Sequence, residues 1–146
     1  MPSHAEKRVL PYTSEQLFDL VMDIEKYPEF MPWCIATRIN SRGKDVLNAD
    51  VIVGYKVFRE KFNSTVVFKR PKTIEVEYKQ GPMKHLQNRW AFKDIKGGQC
   101  EVDFYIEFSM KSKMFETLVD QFFHRVLVKM INSFEDRAAE LYGKKA

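Results

Sequence analysis

The sequence predicts an α+β domain: a curved antiparallel sheet of about seven strands wrapped around one long C-terminal helix, with short N-terminal helices before it. Three observations predict it. An early segment repeats its apolar residues at helical spacing, the middle of the chain alternates with period two, and a long helical period returns near the end. The 146 residues suit one domain spanning 1–146, large enough to bury roughly 70% of the surface that the unfolded chain exposes.

The segment HAEKRVLPY, His4 to Tyr12, reads as a short first strand. From Thr13 to Tyr27 the chain reads as helix. Thr13 or Ser14 caps it, and Leu17, Phe18, Leu20, Val21 and Ile24 fall on one face. YPEFMPWC, Tyr27 to Cys34, then breaks it, because its two prolines exclude an uninterrupted helix and argue against a central strand. Three aromatics in such a loop either plug one end of a core or border a place where something apolar enters.

From Ile35 the period is two. NSRGKD (40–45) and DIKGGQ (94–99) are turn signals. Ile74, Val76 and Tyr78 alternate with Glu75, Glu77 and Lys79, and Val102, Phe104, Ile106 and Phe108 alternate with Asp103, Tyr105 and Glu107. Such runs predict antiparallel strands with one wet and one buried face. Phe115 to Tyr142 reads as one helix stopped by Gly143. It would be about 42 Å long, enough to cross seven strands at about 4.8 Å spacing. On a wheel, Phe115, Leu118, Val119, Phe122 and Val126 share one face. Leu127, Ile131, Phe134, Ala138 and Leu141 centre about 90° away. An arc this wide means either a helix buried on two sides or one that partly lines a cavity.

Composition narrows the function classes. Hydrophobic content is 45%, charged 30% and aromatic 14%, and the net charge of +4 is mild. No stretch is long and apolar enough to span a membrane, and no secretory leader is visible at the start, so a cytoplasmic protein is expected, or one peripheral at a bacterial inner membrane. Cys34 and Cys100 sit in no repeated spacing and read as small hydrophobes of a reducing compartment. His4, His85 and His124 show no metal-ligand spacing, so no metal and no catalytic residue is expected.

Four segments carry a resemblance: LPYTSEQLFDLVMDIEKYPEFMPWC, VGYKVFREKFNS, GPMKHLQNRWAF and FEDRAAELYG. They resemble the START-like, helix-grip proteins of the coenzyme-Q-binding family, a polyketide cyclase and lipid transport-like group that includes bacterial ribosome-association toxins. The family usually places Phe after the Gly-Pro pair, where this chain has Met83. The resemblance implies a non-enzymatic carrier for ubiquinone or a related polyprenyl lipid, held between sheet and long helix and serving respiratory electron transport. No other cofactor is implied.

On that basis the expected ligand-binding residues are Phe30, Trp33, Glu60, Phe62, Ser64, Asn88, Trp90, Phe104, Phe122 and Val126. Pro28, Pro32, Met83, Met114 and Phe115 are the expected gate and membrane contact. Asn88 either bonds a quinone carbonyl, or turns outward or bonds the backbone. Glu60 either needs a partner in a solvated cavity or lies near an open strand end. Expected partners are a hydrophobic small molecule, a membrane surface and, from the toxin members, a ribosomal subunit. Specific DNA is not expected, since Lys69, Arg70, Lys72, Lys144 and Lys145 are dispersed. A cyclase-like enzyme is the remaining alternative, with Glu60 and His85 as its acid or base.

Overall fold

In the computed structural model, residues 3–55 and 58–143 are described, the side chains of Tyr55, Phe58, Phe115 and Leu118 excepted. The chain runs β1 (Ser3–Leu10), α1 (Ser14–Met22), a 3-10 turn (Ile24–Lys26), α2 (Tyr27–Phe30), β2 (Cys34–Arg42) and β3 (Val46–Tyr55). It continues through β4 (Phe58–Lys69), β5 (Thr73–Gln80), β6 (Met83–Ile95) and β7 (Gln99–Met110) into α3 (Lys113–Tyr142). The seven strands form one antiparallel sheet in the order β1-β7-β6-β5-β4-β3-β2. The α+β prediction therefore holds, with the long helix on one face.

The predicted N-terminal helix is shorter than expected. Thr13 caps α1 through a capping box with Gln16, but Asp23 leaves helical geometry and its N–H bonds Leu20 O at 3.3 Å. A 3-10 turn follows, and α2 is a single turn with Pro28 near its start, where a missing N–H costs nothing. The Tyr27 hydroxyl donates to the Val21 carbonyl and bridges the two pieces. Burial holds that phenol well above its ordinary pKa.

The core lies at one end of the sheet. Leu17, Phe18, Leu20, Val21 and Ile24 of the α1 region are all buried. They cover Leu47, Ala49, Val66, Ile74, Phe92 and Val102 of the sheet. Phe18 meets Phe68 at 6.3 Å and Phe92 at 6.0 Å between ring centroids. From the sheet, Asp94 accepts from both the backbone N–H and the hydroxyl of Ser14, each at 2.8 Å, and so closes the start of α1. These bonds, the backbone one first, depress the Asp94 pKa.

A carboxylate depressed in the folded state adds stability above its unfolded value of about 3.9, and that stability disappears as pH falls through the folded value. Asp94→Asn is therefore expected to lower the melting temperature at pH 7, with the gap to wild type narrowing in acid below the usual carboxylate range. A gap that stays constant into that acid range would show that charge on Asp94 contributes nothing.

Candidate functional site

Beyond the core, the inner face of the sheet is left half-buried. Val51, Val53, Phe62, Ser64, Val76, Tyr78, Leu86, Asn88 and Ile106 all point the same way and are only partly covered. The register makes them one patch: Val51 opposes Phe62, Ser64 opposes Tyr78, Val76 opposes Asn88, and Asn88 opposes Ile106. Across β3 to β6 the patch is about 14 Å wide. Over its far edge α3 is held by Phe123 on Phe108, with centroids 5.1 Å apart. The patch is apolar, with few polar atoms, as a site for an apolar guest should be.

Those polar atoms are specific. Asn88 Nδ2 donates to the Tyr105 carbonyl and Asn88 Oδ1 accepts from Trp90 Nε1, each at 3.0 Å. Asn88 is thus inward and bonded to backbone, with one amide hydrogen to spare. The Tyr78 hydroxyl accepts from the Met83 N–H at 3.0 Å and keeps its own proton as a donor. It also explains Gly81: a Cβ there would meet that hydroxyl at 2.7 Å and the Lys61 carbonyl at 2.9 Å. Glu60, opposite Val53 near the open strand end, has no hydrogen bond or ion pair among the described residues. Alternation already put Tyr78 beside Ile74 and Val76; it was missed as a site residue because a tyrosine at a strand end also suits a surface.

Beside the patch stands the YPEFMPWC segment. Phe30 packs on Phe134 at 5.7 Å and Tyr27 at 5.8 Å. Tyr27 meets Phe134 at 5.7 Å, and Trp90 meets it at 5.4 Å. Arg137 lies over Phe30, its Cζ 5.2 Å from the ring centroid, and is itself buried. The segment is therefore pinned to the second half of α3. Trp33 ends it with a left-handed backbone, φ 63°, a conformation that costs a non-glycine residue about 1 kcal/mol or more. Its carbonyl accepts from the Gly54 N–H at 2.8 Å, and the Lys129 ammonium lies 5.6 Å from its ring centroid. Pro28, Phe30, Met31, Pro32, Lys129 and Asn132 border an outer cleft of about 460 Å³.

Several expectations need correction. Phe104 is buried and filled against Trp90 at 4.7 Å, so it belongs to the core. Phe122 and Val126 are 42% and 41% exposed, because the seam through Phe123, Leu127 and Phe134 turns them outward. Met114, expected at the gate and membrane contact, is 83% exposed, which leaves that expectation standing. Met83 is half-buried opposite Met110, while the side chain of Phe115 lies outside the described residues, as do Lys144 and Lys145. His85 faces the outer side of the sheet, where its Nε2 meets Glu107 at 3.0 Å. It cannot act with Glu60 across the inner face. Burial raises the Cys34 thiol, the reverse of nucleophile activation. Among the described residues no group of His, Cys, Asp and Glu could hold a metal ion, and no helix is long and apolar enough to cross a membrane.

A feature that the sequence reading did not contain is the polar inner face of β1. His4, Glu6 and Arg8 turn toward α3, and Arg8 bonds Glu135 at 2.7 Å. They border a pocket of only about 40 Å³.

Comparison with known proteins agrees with this fold. Residues 10–135 match the family described as polyketide cyclase / dehydrase and lipid transport. The chain is 35% identical to the ribosome association toxin RatA of Rickettsia prowazekii over 97% of this chain and 99% of that protein. It is 30% identical to the mitochondrial coenzyme Q-binding protein COQ10 homolog B of Xenopus laevis, over 97% of this chain and 60% of that protein. The solution structure of the 18 kDa protein CC1736 from Caulobacter crescentus is 37% identical, with a TM-score of 0.78 over 99% of this chain and all of that one.

Proposed function

Because the chain belongs to the polyketide cyclase / dehydrase and lipid transport family, we propose that it binds a polyprenyl quinone of the ubiquinone type and carries it unchanged. The observation behind this reading is the half-buried apolar patch on the inner face, from Val51 to Ile106, whose β7 edge meets α3 through Phe108 and Phe123. A tail laid there gains about 0.8 kcal/mol for each CH₂ removed from water. The quinone carbonyls are acceptors. The spare hydrogens of Tyr78, Ser64 and Asn88 are donors on the same face, and each bond orients the headgroup. A relative named for coenzyme Q binding supports this choice of guest.

Carriage without reaction fits a patch whose own described residues pair no acid with a base; the His4–Glu6 pair, 3.4 Å apart, stands next to it on β1, opposite Ile106 and in the small pocket under α3. Glu60 is its one carboxylate among the described residues, and the candidate base expected from the sequence, His85, is on the other side of the sheet. The test is organic extraction of purified protein with mass spectrometry, followed by titration of the stripped protein with a short-tailed ubiquinone while Trp33 and Trp90 fluorescence is read. Saturable quenching is expected. No bound quinone and no saturable quenching would remove this reading.

A relative named as a ribosome association toxin supplies a second reading. The basic residues offer it little: Arg70 is clamped in a two-pronged pair with Asp19 at 2.8 and 2.9 Å. Cosedimentation with isolated ribosomal subunits at physiological salt separates the two readings.

A further inference from the structure

The outward flank of the first half of α3 is apolar, cationic and uncovered. Met114, Phe122 and Val126 are exposed, although Phe123, Leu127 and Phe134 show that the helix has a sheet-facing seam of its own. At about 100° per residue, Met114, Gln121, Phe122, Arg125, Val126 and Lys129 fall within an arc of about 140°. Exposed Lys111 and Lys113 add positive charge at the helix start, although Lys113 itself falls about 80° outside that arc. The Arg125 guanidinium lies 5.7 Å from the Phe122 ring centroid. Lys111, Lys113, Arg125 and Lys129 enter no ion pair among the described residues. The acids of this half, Glu116 and Asp120, fall on the sheet-facing side of the wheel. The first acid within the outward arc is Asp136, beyond Lys129.

We propose that this flank adsorbs to an anionic phospholipid bilayer. Met114, Phe122 and Val126 enter the boundary between headgroups and acyl chains, and the four cations meet lipid phosphates. Interleaved exposed apolar groups and unpaired cations on one helix face suit an interface of that kind. A nucleic-acid backbone would use the cations and leave three apolar side chains in water. The placement also matters. The same half of α3 borders the inner-face patch, where Phe123 packs on Phe108 opposite Leu86, so docking brings that edge of the patch to the bilayer. This use of the surface rests on the lipid-carrier reading, but adsorption does not require a quinone.

The experiment is flotation of the full protein with quinone-free vesicles, either phosphatidylcholine alone or phosphatidylcholine containing phosphatidylglycerol. Binding to the anionic vesicles is expected, and much less to the neutral ones. Arg125→Glu with Lys129→Glu is expected to weaken binding about thirtyfold or more. Lys93→Glu with Lys96→Glu makes the same change in net charge at the β6–β7 turn and should lose far less. Met114→Asp, at an exposed position, should weaken binding with an unchanged melting temperature. No binding to anionic vesicles, equal loss in the two double variants, or retention by ribosomal RNA but not by vesicles would overturn the proposal. If vesicle binding fails while short-tailed quinone still quenches the tryptophans, the docking surface falls and the carrier reading stands.

Discussion

Phe134→Ala is expected to cost about 3–5 kcal/mol of stability. The ring is buried at a junction of three elements, α2, β6 and α3. It meets Trp90 of β6 at 5.4 Å, Tyr27 at 5.7 Å and Phe30 at 5.7 Å. Edge-to-face contacts of this kind add to the burial of the ring itself. The same change should loosen Pro28–Pro32 and speed its cleavage by protease. Urea unfolding measures the first effect, with Leu141→Ala as a control: that side chain is 47% exposed, so a change within about 0.5 kcal/mol is expected. A Phe134→Ala loss below about 1 kcal/mol would mean that the aromatic junction does not hold the segment to the helix.

Ser64→Trp should abolish quinone binding and leave the fold in place. Ser64 faces inward, between Ala49 of β3 and Tyr78 of β5, and is only half-buried, so an indole has room to lie on the sheet. It would occupy the space of roughly five methylenes. At about 0.8 kcal/mol each that is about 4 kcal/mol, or about a thousandfold in affinity. Retention of radiolabelled quinone on gel filtration measures it, with circular dichroism to confirm the fold. Unaltered affinity would move the guest off the inner face, and the outer cleft beside Phe30 and Lys129 would then be the place to look.

Local pattern carried most of the architecture. The alternation in β5 and β7 appears in the structure with the expected faces, down to Val76 and Asn88 meeting across one register. Thr13 caps α1, and Gly143 takes a left-handed φ of 84° at the end of α3. The site was less legible. Phe62, Ser64, Asn88 and Trp90 share the inner face because period two alone assigns them to it. Phe104 obeys the same period, yet it is closed off by Trp90 and the neighbouring strand. Phe122 and Phe123 are adjacent on one helix, and a wheel cannot say which of them meets the sheet. Contact with Phe108 selects Phe123 and sends Phe122 to solvent.

The sequence by itself determined the elements, their order and the sidedness of the central strands, since each follows from propensity, capping and spacing within a few residues. Only the tertiary structure decided where the interior is filled and where it stays open. That depends on α1 covering one end of the sheet and on Phe134 drawing the YPEFMPWC segment onto α3. It also decided that His4, Glu6 and Arg8 face the helix while Val9 faces water. An edge strand under the flank of a helix tolerates a polar seam once Arg8 finds Glu135, a partner 127 positions away that no local pattern can foresee.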